Sequence, residues 1–286
     1  MTWDGKTSGG LPAVTSQAAN PAANLFGSPT EIRDRSGHVV ASGNFGTKVF
    51  TGTWAGDELH FCQMVPFDFL GASGVPATLQ INTPGGTPRA AAQVGNVYEQ
   101  GSIHAVACSV LSDRAVVVQS GSISQAIQFW VVQLSTGRIL WTHSFDPAVP
   151  NITEITATRD RQYVAENRQA GATIYGPDGT QVGQLDSTVA AFSWDGTLAV
   201  VTNGLPGNDS GPVRVVRWLD GRTVWSGPSG AGYTIWLARA EPGGSRLAVF
   251  TRSPGSTPNG GGFSPVDVYV IAPDGQVVVY LKTVYQ

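Results

Sequence analysis

The chain has 286 residues, of which 41% are hydrophobic and only 13% charged, and its formal net charge is −3. That length accommodates one large all-β domain or two smaller ones, with enough residues to bury a sizeable core. No basic block is present to neutralise a phosphate backbone, so nucleic acid is not an expected partner, and there is no acidic tail.

The 36 Gly and 18 Pro point to many turns and short strands rather than helices. No stretch reaches the roughly 18 apolar residues needed to span a membrane. The opening Met1-Thr2-Trp3-Asp4-Gly5-Lys6 lacks the basic and apolar regions of a signal peptide. Residues 7–24 (TSGGLPAVTSQAANPAAN) read as a flexible small-residue linker. A linker opening straight onto a repeat domain fits a piece of a larger protein, whose remainder would carry a signal or membrane anchor.

Taken in order, the chain is a series of hairpins. Residues 31–42 form the first, around Arg35-Ser36-Gly37, and residues 50–65 the second, around Ala55-Gly56-Asp57. Residues 77–94 fold about Pro84-Gly85-Gly86, and the next pair spans 103–119 and 127–144. Then come 154–166 and 172–185, followed by residues 188–227, which hold two hairpins in series. There Ser193-Trp194-Asp195-Gly196 and Leu219-Asp220-Gly221 each sit between short Val, Leu, Phe and Trp runs, a strong hairpin signal because such turns need a positive φ. The last pair is 234–251 and 266–282.

Two kinds of hairpin alternate. One carries a small polar turn before a Leu/Val-rich strand, as in FSWDGTLAVVT, AEPGGSRLAVFT and SVLSDRAVVVQ. The other carries an acidic-Gly or Ser/Thr-Gly turn, as in VYVIAPDGQVVVYL, VVQLSTGRILWTH and TIYGPDGTQVGQL. Gly37, Gly85, Gly137, Gly179, Gly221 and Gly275 mark the second kind at intervals of roughly 42–54 residues, the spacing of propeller blades. Each unit is a sheet too small to bury both faces alone, so neighbours must stack.

FSWDGTLAVV followed by VRVVRWLDG, and EPGGSRLAVF followed by VYVIAPDGQ, resemble the blades of TolB-like and related WD40-like bacterial propellers. The resemblance covers residues 31–283 and implies an all-β fold: a β-propeller of four-stranded antiparallel blades, strands A to D. Trp194-Asp195 lies at an A–B turn rather than at the end of strand C, so the true WD40 signature is lacking. Five full units (50–94, 103–144, 154–185, 188–227, 234–282) and a lone hairpin at 31–45 make six blades the expected number, with five or seven as alternatives. Residues 1–29 are then a linker or an incomplete first blade, and 30–286 the propeller.

In that arrangement the A–B and C–D turns are tight and share one face. The long B–C connections (66–76, 120–126, 203–212, 252–265) and D–A links (95–102, 145–151, 228–233) share the other, where binding surfaces commonly form on a rigid scaffold. The expected ligand contacts are Phe67, Asp68, Phe69, Tyr98, Glu99, Asn208, Asp209, Tyr233, Asn259 and Phe263. Exposed aromatics beside short polar groups suit a protein or glycan ligand, whereas Phe67, Phe69 and Phe263 tucked under their own loops would be packing.

Catalytic motifs are thin. GNDSGP at 207–212 lacks the second Gly of the serine-protease nucleophile motif and has no segment supplying a base. There is neither a G-x-S-x-G elbow nor an H-E-x-x-H. His60 and Cys62 share one strand face, as do His104 and Cys108 on the neighbouring unit. The two cysteines form either one disulfide or two buried thiols; a His/Cys metal site is a further arrangement, against packed or surface histidines. The strand A segments are small and apolar, so no cofactor and no channel metal are expected.

The leading expectation is a non-catalytic extracytoplasmic binding or scaffold module of a bacterial surface or envelope protein. Its partner would be a protein or glycan, and it would meet a membrane only through a tether absent from this chain. A sensor ectodomain is one form of this. The alternatives are a propeller hydrolase or lyase acting at the channel mouth, and a structural subunit of an envelope assembly or filament.

Overall fold

A computed structural model describes residues 14–17, 30–33, 39–43, 52–54, 60–65, 76–82, 87, 89–96, 102–120, 126–145, 152–168, 171–203, 212–227, 234–241, 244–252 and 266–282. Among them every regular element is a strand, and the strands pair antiparallel in the order in which the chain presents them. The chain divides into two compact units: residues 1–150 with 159–161 and 177–179, and residues 151–158, 162–176 and 180–286.

In the first unit, β1 (Val14–Gln17), β2 (Thr30–Arg33) and β3 (Val39–Gly43) make a three-stranded sheet. β1 comes from residues read above as linker or incomplete blade; Val14 pairs with Arg33 and Gln17 with Thr30. β4 (Gly52–Trp54), β5 (Phe61–Val65), β6 (Pro76–Asn82) and β7 (Arg89–Asn96) form a four-stranded sheet. β8 (Ser102–Ser109), β9 (Arg114–Ser120), β10 (Ala126–Gln133) and β11 (Ile139–Ser144) form another.

Period-two alternation decides what is buried: Cys62, Met64, Leu79, Ile81 and Val94 meet Cys108, Val117, Trp130 and Val132 in one core between these two sheets. A disulfide joins Cys62 on β5 to Cys108 on β8, with Cα atoms 6.2 Å apart, which selects the bridge over two thiols. Because each sulfur is bonded to the other, neither serves as a thiolate ligand, and the His/Cys metal arrangement falls away.

The second unit holds three further sheets. They are β12 (Ile152–Ala157) to β13 (Val164–Arg168), β14 (Gly171–Tyr175) and β15 (Gln181–Leu185); β16 (Thr188–Phe192) to β17 (Leu198–Thr202), β18 (Arg214–Arg217) and β19 (Arg222–Ser226); and β20 (Thr234–Ala240) to β21 (Leu247–Arg252), β22 (Val266–Ile271) and β23 (Val277–Lys282). These are the units read at 154–185, 188–227 and 234–282.

Alternate residues of β16–β19 serve two cores. Val189, Ala199, Val201, Val216 and Trp218 pack on Ala165 and Ile174. Leu198, Val200, Val213 and Val215 pack on Leu247, Val249 and Ile271. A strand buried on both faces reads as a continuous apolar run, which is why LAVVT lacks polar alternation.

The tight turns explain themselves locally. In Ser193–Leu198, the Ser193 hydroxyl donates to Asp195 Oδ1 (2.6 Å) and accepts from Leu198 N (2.9 Å). The Thr197 N–H also donates to Asp195 Oδ1 (3.1 Å), and Gly196 takes φ +74°. Trp218 Nε1 donates to the Gly196 carbonyl (2.7 Å), so the end of the third strand clamps the first turn of its sheet.

Candidate binding face

In each meander the second-to-third connection and the link to the next sheet leave from the same end. Several polar described residues of the second unit at or near that end are tied together, and Tyr175, at the other end of β14, reaches them across the strand. Glu166, on β13, is fully buried, accepts from Arg168 Nε (2.6 Å) and from the Tyr175 hydroxyl (2.8 Å), and so is neutralised and hydrogen-bonded. Burial raises the Tyr175 phenol above its ordinary value, and the Glu166 carboxylate, for which the phenol is a donor, raises it further.

One residue on, Asn167 points to the opposite face of β13 and reaches the next sheet. Its Nδ2 donates to the Val189 carbonyl (2.9 Å) and its Oδ1 accepts from Val189 N (2.7 Å). Thr156 Oγ1 donates to the same carbonyl (3.0 Å). Where β16 has a register shift between Val189 and Ala191, this side chain satisfies both backbone groups that a partner strand would otherwise take.

The two-residue link Asp186-Ser187 joins β15 to β16 and carries a second cluster. Arg214 Nη2 donates to Asp186 Oδ1 (2.8 Å) and to the Ser187 hydroxyl, and the Ser187 hydroxyl in turn donates to Asn203 Oδ1 (3.1 Å). The Arg214 hydrogen bond is the main reason the Asp186 carboxyl sits below its ordinary value. Beneath it, the buried Thr188 and Thr202 hydroxyls meet at 3.1 Å. Residues 204–211 leave from Asn203 and return at Pro212, so the longest central connection of this sheet springs from a locked base.

Phe67, Asp68, Phe69, Tyr98, Glu99, Asn208, Asp209, Tyr233, Asn259 and Phe263, the expected contacts, all lie outside the described residues. What the structure brings together instead is Glu166–Arg168–Tyr175 and Asp186–Ser187–Asn203–Arg214, none of which stood out in the sequence. Asp186-Ser187, the shortest break between two apolar runs, was the available signal. Asn167 carried none, because its role depends on a neighbouring sheet. Among the described residues no group of three or more His, Cys, Asp or Glu is placed to hold a metal ion.

In the first unit the tie is different. Arg161, with φ +59°, donates from Nε (3.0 Å) and Nη2 (2.8 Å) to the Cys108 carbonyl beside the disulfide. Burial pulls its guanidinium down to about 10, so it stays charged at neutral pH. His143 packs against Phe129 (ring centroids 5.6 Å, tilted) and Phe145 (5.2 Å, edge-on).

Stacked four-stranded antiparallel sheets of this kind define a propeller-like fold, and solved structures agree. Kluyveromyces lactis Hsv2 aligns at a TM-score of 0.50 and 12% identity, over 81% of this chain and 62% of that one. Its form with loop 6CD replaced by a Gly-Ser linker aligns at 0.51 and 11%, over 82% and 66%. A structure described as the eukaryotic initiation factor aligns at 0.51 and 10%, over 98% and 64%. The chain thus spans less than two thirds of the length of these structures, and at such identities the likeness concerns the fold alone. TolB from Agrobacterium tumefaciens aligns at 0.43 and 13%, over 81% and 80%, below the level at which two folds are equated. No family model and no curated protein matches the chain.

Proposed function

We propose that this chain is a non-catalytic β-propeller binding module, working outside the cytoplasm as part of a surface or envelope protein. It would recognise a protein or glycan through the face that carries the long connections. The observation that supports this most is the locked base of residues 204–211: Asp186, Ser187, Asn203 and Arg214 satisfy one another and hold both strand ends from which that loop departs. A stiff rim that presents a long loop suits recognition, because little ordering entropy is lost by the scaffold on binding. The Cys62–Cys108 disulfide supports an oxidising compartment. Six blades in a closed ring, with residues 30–286 as the propeller, complete the reading, and tethered-sensor and envelope-scaffold roles are forms of it.

The test is binding of the full chain to a panel of soluble glycans and extended peptides by interferometry. It is repeated after residues 204–211 and 253–265 are exchanged for Gly-Ser linkers. Binding by the parent chain, lost in the exchanged one at an unchanged melting temperature, is the expected result. Equal binding by both would place recognition elsewhere, and cleavage of a panel glycan would replace the reading with a hydrolase or lyase.

A further inference from the structure

The layer between the β16–β19 sheet and the β20–β23 sheet changes character along its length. For most of it the filling is apolar, with Leu198, Val200 and Val215 from one side and Leu247, Val249 and Ile271 from the other. Period two carries the same strand faces on to Thr202, two residues after Val200, and to Thr251, two after Val249. Asp267 shares its face of β22 with Tyr269 and Ile271, and it is the register partner of Thr251. Thr188 is the register partner of Thr202. The long-connection end of this apolar layer thus holds Thr188, Thr202, Thr251 and Asp267, none of them more than 3% exposed.

Their hydrogen bonding is uneven. The Thr188 hydroxyl donates to the Thr202 carbonyl (3.2 Å) and lies 3.1 Å from the Thr202 hydroxyl. The Thr251 hydroxyl is buried and has no hydrogen-bond partner among the described residues. Folded proteins rarely leave a buried hydroxyl so, and a bound ion or ordered water is the usual remedy. In the same row Asp267 keeps its carboxyl away from solvent, where an ionised group is stable only with positive charge close by. Lys282, opposite it on β23, is exposed.

We propose that Asp267 and Thr251, together with the Thr188–Thr202 hydroxyl pair across the layer, form a site for a calcium ion. The donor set is oxygen only, one carboxylate among neutral hydroxyls, which suits a hard cation rather than zinc or copper. Magnesium keeps its waters and demands an octahedral shell, whereas calcium accepts the irregular oxygen arrangement of an inter-sheet layer. With a single carboxylate the affinity falls at the weak end of calcium sites, a dissociation constant of about 1 mM. The site lies between two sheets and differs from the clusters of three or more His, Cys, Asp or Glu that the described residues lack. Thr251 and Asp267 also stand at the two strand ends joined by residues 253–265. The ion fastens that base as Arg214 fastens the base of residues 204–211.

Thermal unfolding of the full chain, first dialysed against EGTA, tests this without any ligand of the loop face. Calcium chloride is titrated beside magnesium and sodium chloride at matched ionic strength. At about 10 mM calcium the melting temperature should rise by about 2–4 °C, and the other two salts should give less than half of that.

Thr251→Val is the deciding variant, because its effect differs with and without calcium. Without the ion the added methyl replaces an unpartnered hydroxyl, so T251V should melt at or above the parent. With the ion it should lose the calcium shift, as should Asp267→Asn. Asp274→Asn, at an exposed turn carboxylate of the same sheet, should keep the shift. The proposal is overturned by a parent without a calcium shift, or by an equal shift with matched magnesium or sodium chloride. An undiminished calcium shift in T251V, or its loss in D274N, overturns it too. So does a calcium-free T251V that melts below the parent, since the hydroxyl would then already be satisfied by the protein. If D267N does not fold, T251V alone decides.

Discussion

The two units are built from the same four-stranded meander and pack neighbouring sheets through apolar cores, yet the bonds added at those junctions differ. In the first, a covalent bond runs from Cys62 on β5 to Cys108 on β8, and a charged side chain, Arg161, is anchored on the Cys108 carbonyl beside it. In the second, neighbouring sheets are joined by neutral groups: Asn167 takes both backbone atoms of Val189, and apolar side chains fill the space on either side of β16–β19. A repeat therefore fixes the sheet and leaves the junction open to whatever chemistry the interior can satisfy. A disulfide acts mainly by restricting the unfolded chain, whereas a buried amide acts by completing hydrogen bonds in the folded one.

The largest test of that contrast is the disulfide. Its closed loop spans a sequence separation of 46, for which chain entropy suggests a loss of about 4 kcal/mol on removal. Calorimetry of Cys62→Ala/Cys108→Ala should show a lowered transition, and reductant should lower that of the parent chain alike. A reductant-insensitive parent would mean that the first unit does not rely on the bond.

Next in size is Asn167→Ala, which strands the Val189 N–H in a buried position and leaves its C=O to Thr156 Oγ1 alone, and should cost about 1–3 kcal/mol in urea titration. Asn167→Asp keeps the acceptor for Val189 N but brings an unneutralised charge toward the carbonyl, and should cost at least as much. If the alanine variant were neutral, the neutral-junction account of the second unit would fail.

Trp218→Phe removes the Nε1 bond to the Gly196 carbonyl while keeping a ring against Tyr163 and Phe192. A loss of about 1–2 kcal/mol is expected from the missing donor and the smaller ring. Gly196→Ala should add strain at φ +74° in the same turn, and the double variant should fall short of the summed losses because the two share one contact.

The smallest effect is acidic. Asp186 lies below the ordinary carboxyl value chiefly through Arg214. For Asp113 and Asp195, burial pushes upward, but hydrogen bonds from Ser135 and from Ser193 and Thr197 outweigh it. In each case the folded state holds its proton less tightly than the unfolded chain. Stability from these groups is therefore complete above the unfolded value near 4 and is lost as pH falls through the lower folded values. Denaturation midpoints between pH 6 and 3 should decline in the parent and decline less in Asp186→Asn; parallel curves would remove Asp186 from the account.

Much of the fold was legible because its signals are local. Asp195-Gly196, Asp220-Gly221 and Asp274-Gly275 name their own turns, and the apolar runs beside them set strand lengths within a residue or two. β1 was harder, since Val14–Gln17 has neither a long apolar run nor a turn glycine and becomes a strand only by pairing with Thr30–Arg33. The polar clusters were harder still. Glu166 reads as the polar end of a strand and Arg168 lies beyond it, and only the diagonal across β13 and β14 brings Tyr175 to the same carboxylate.

The sequence by itself determined the meander: hairpin spacing, turn positions and the alternation that decides which side of each strand is apolar follow from steric preference and period two. Tertiary structure alone decided how one sheet meets the next. The Cys62–Cys108 bond, the Arg161 grip on a carbonyl and the Asn167 bridge depend on distances between residues far apart in the chain. Such distances are set by packing of whole faces, and a local pattern does not carry them.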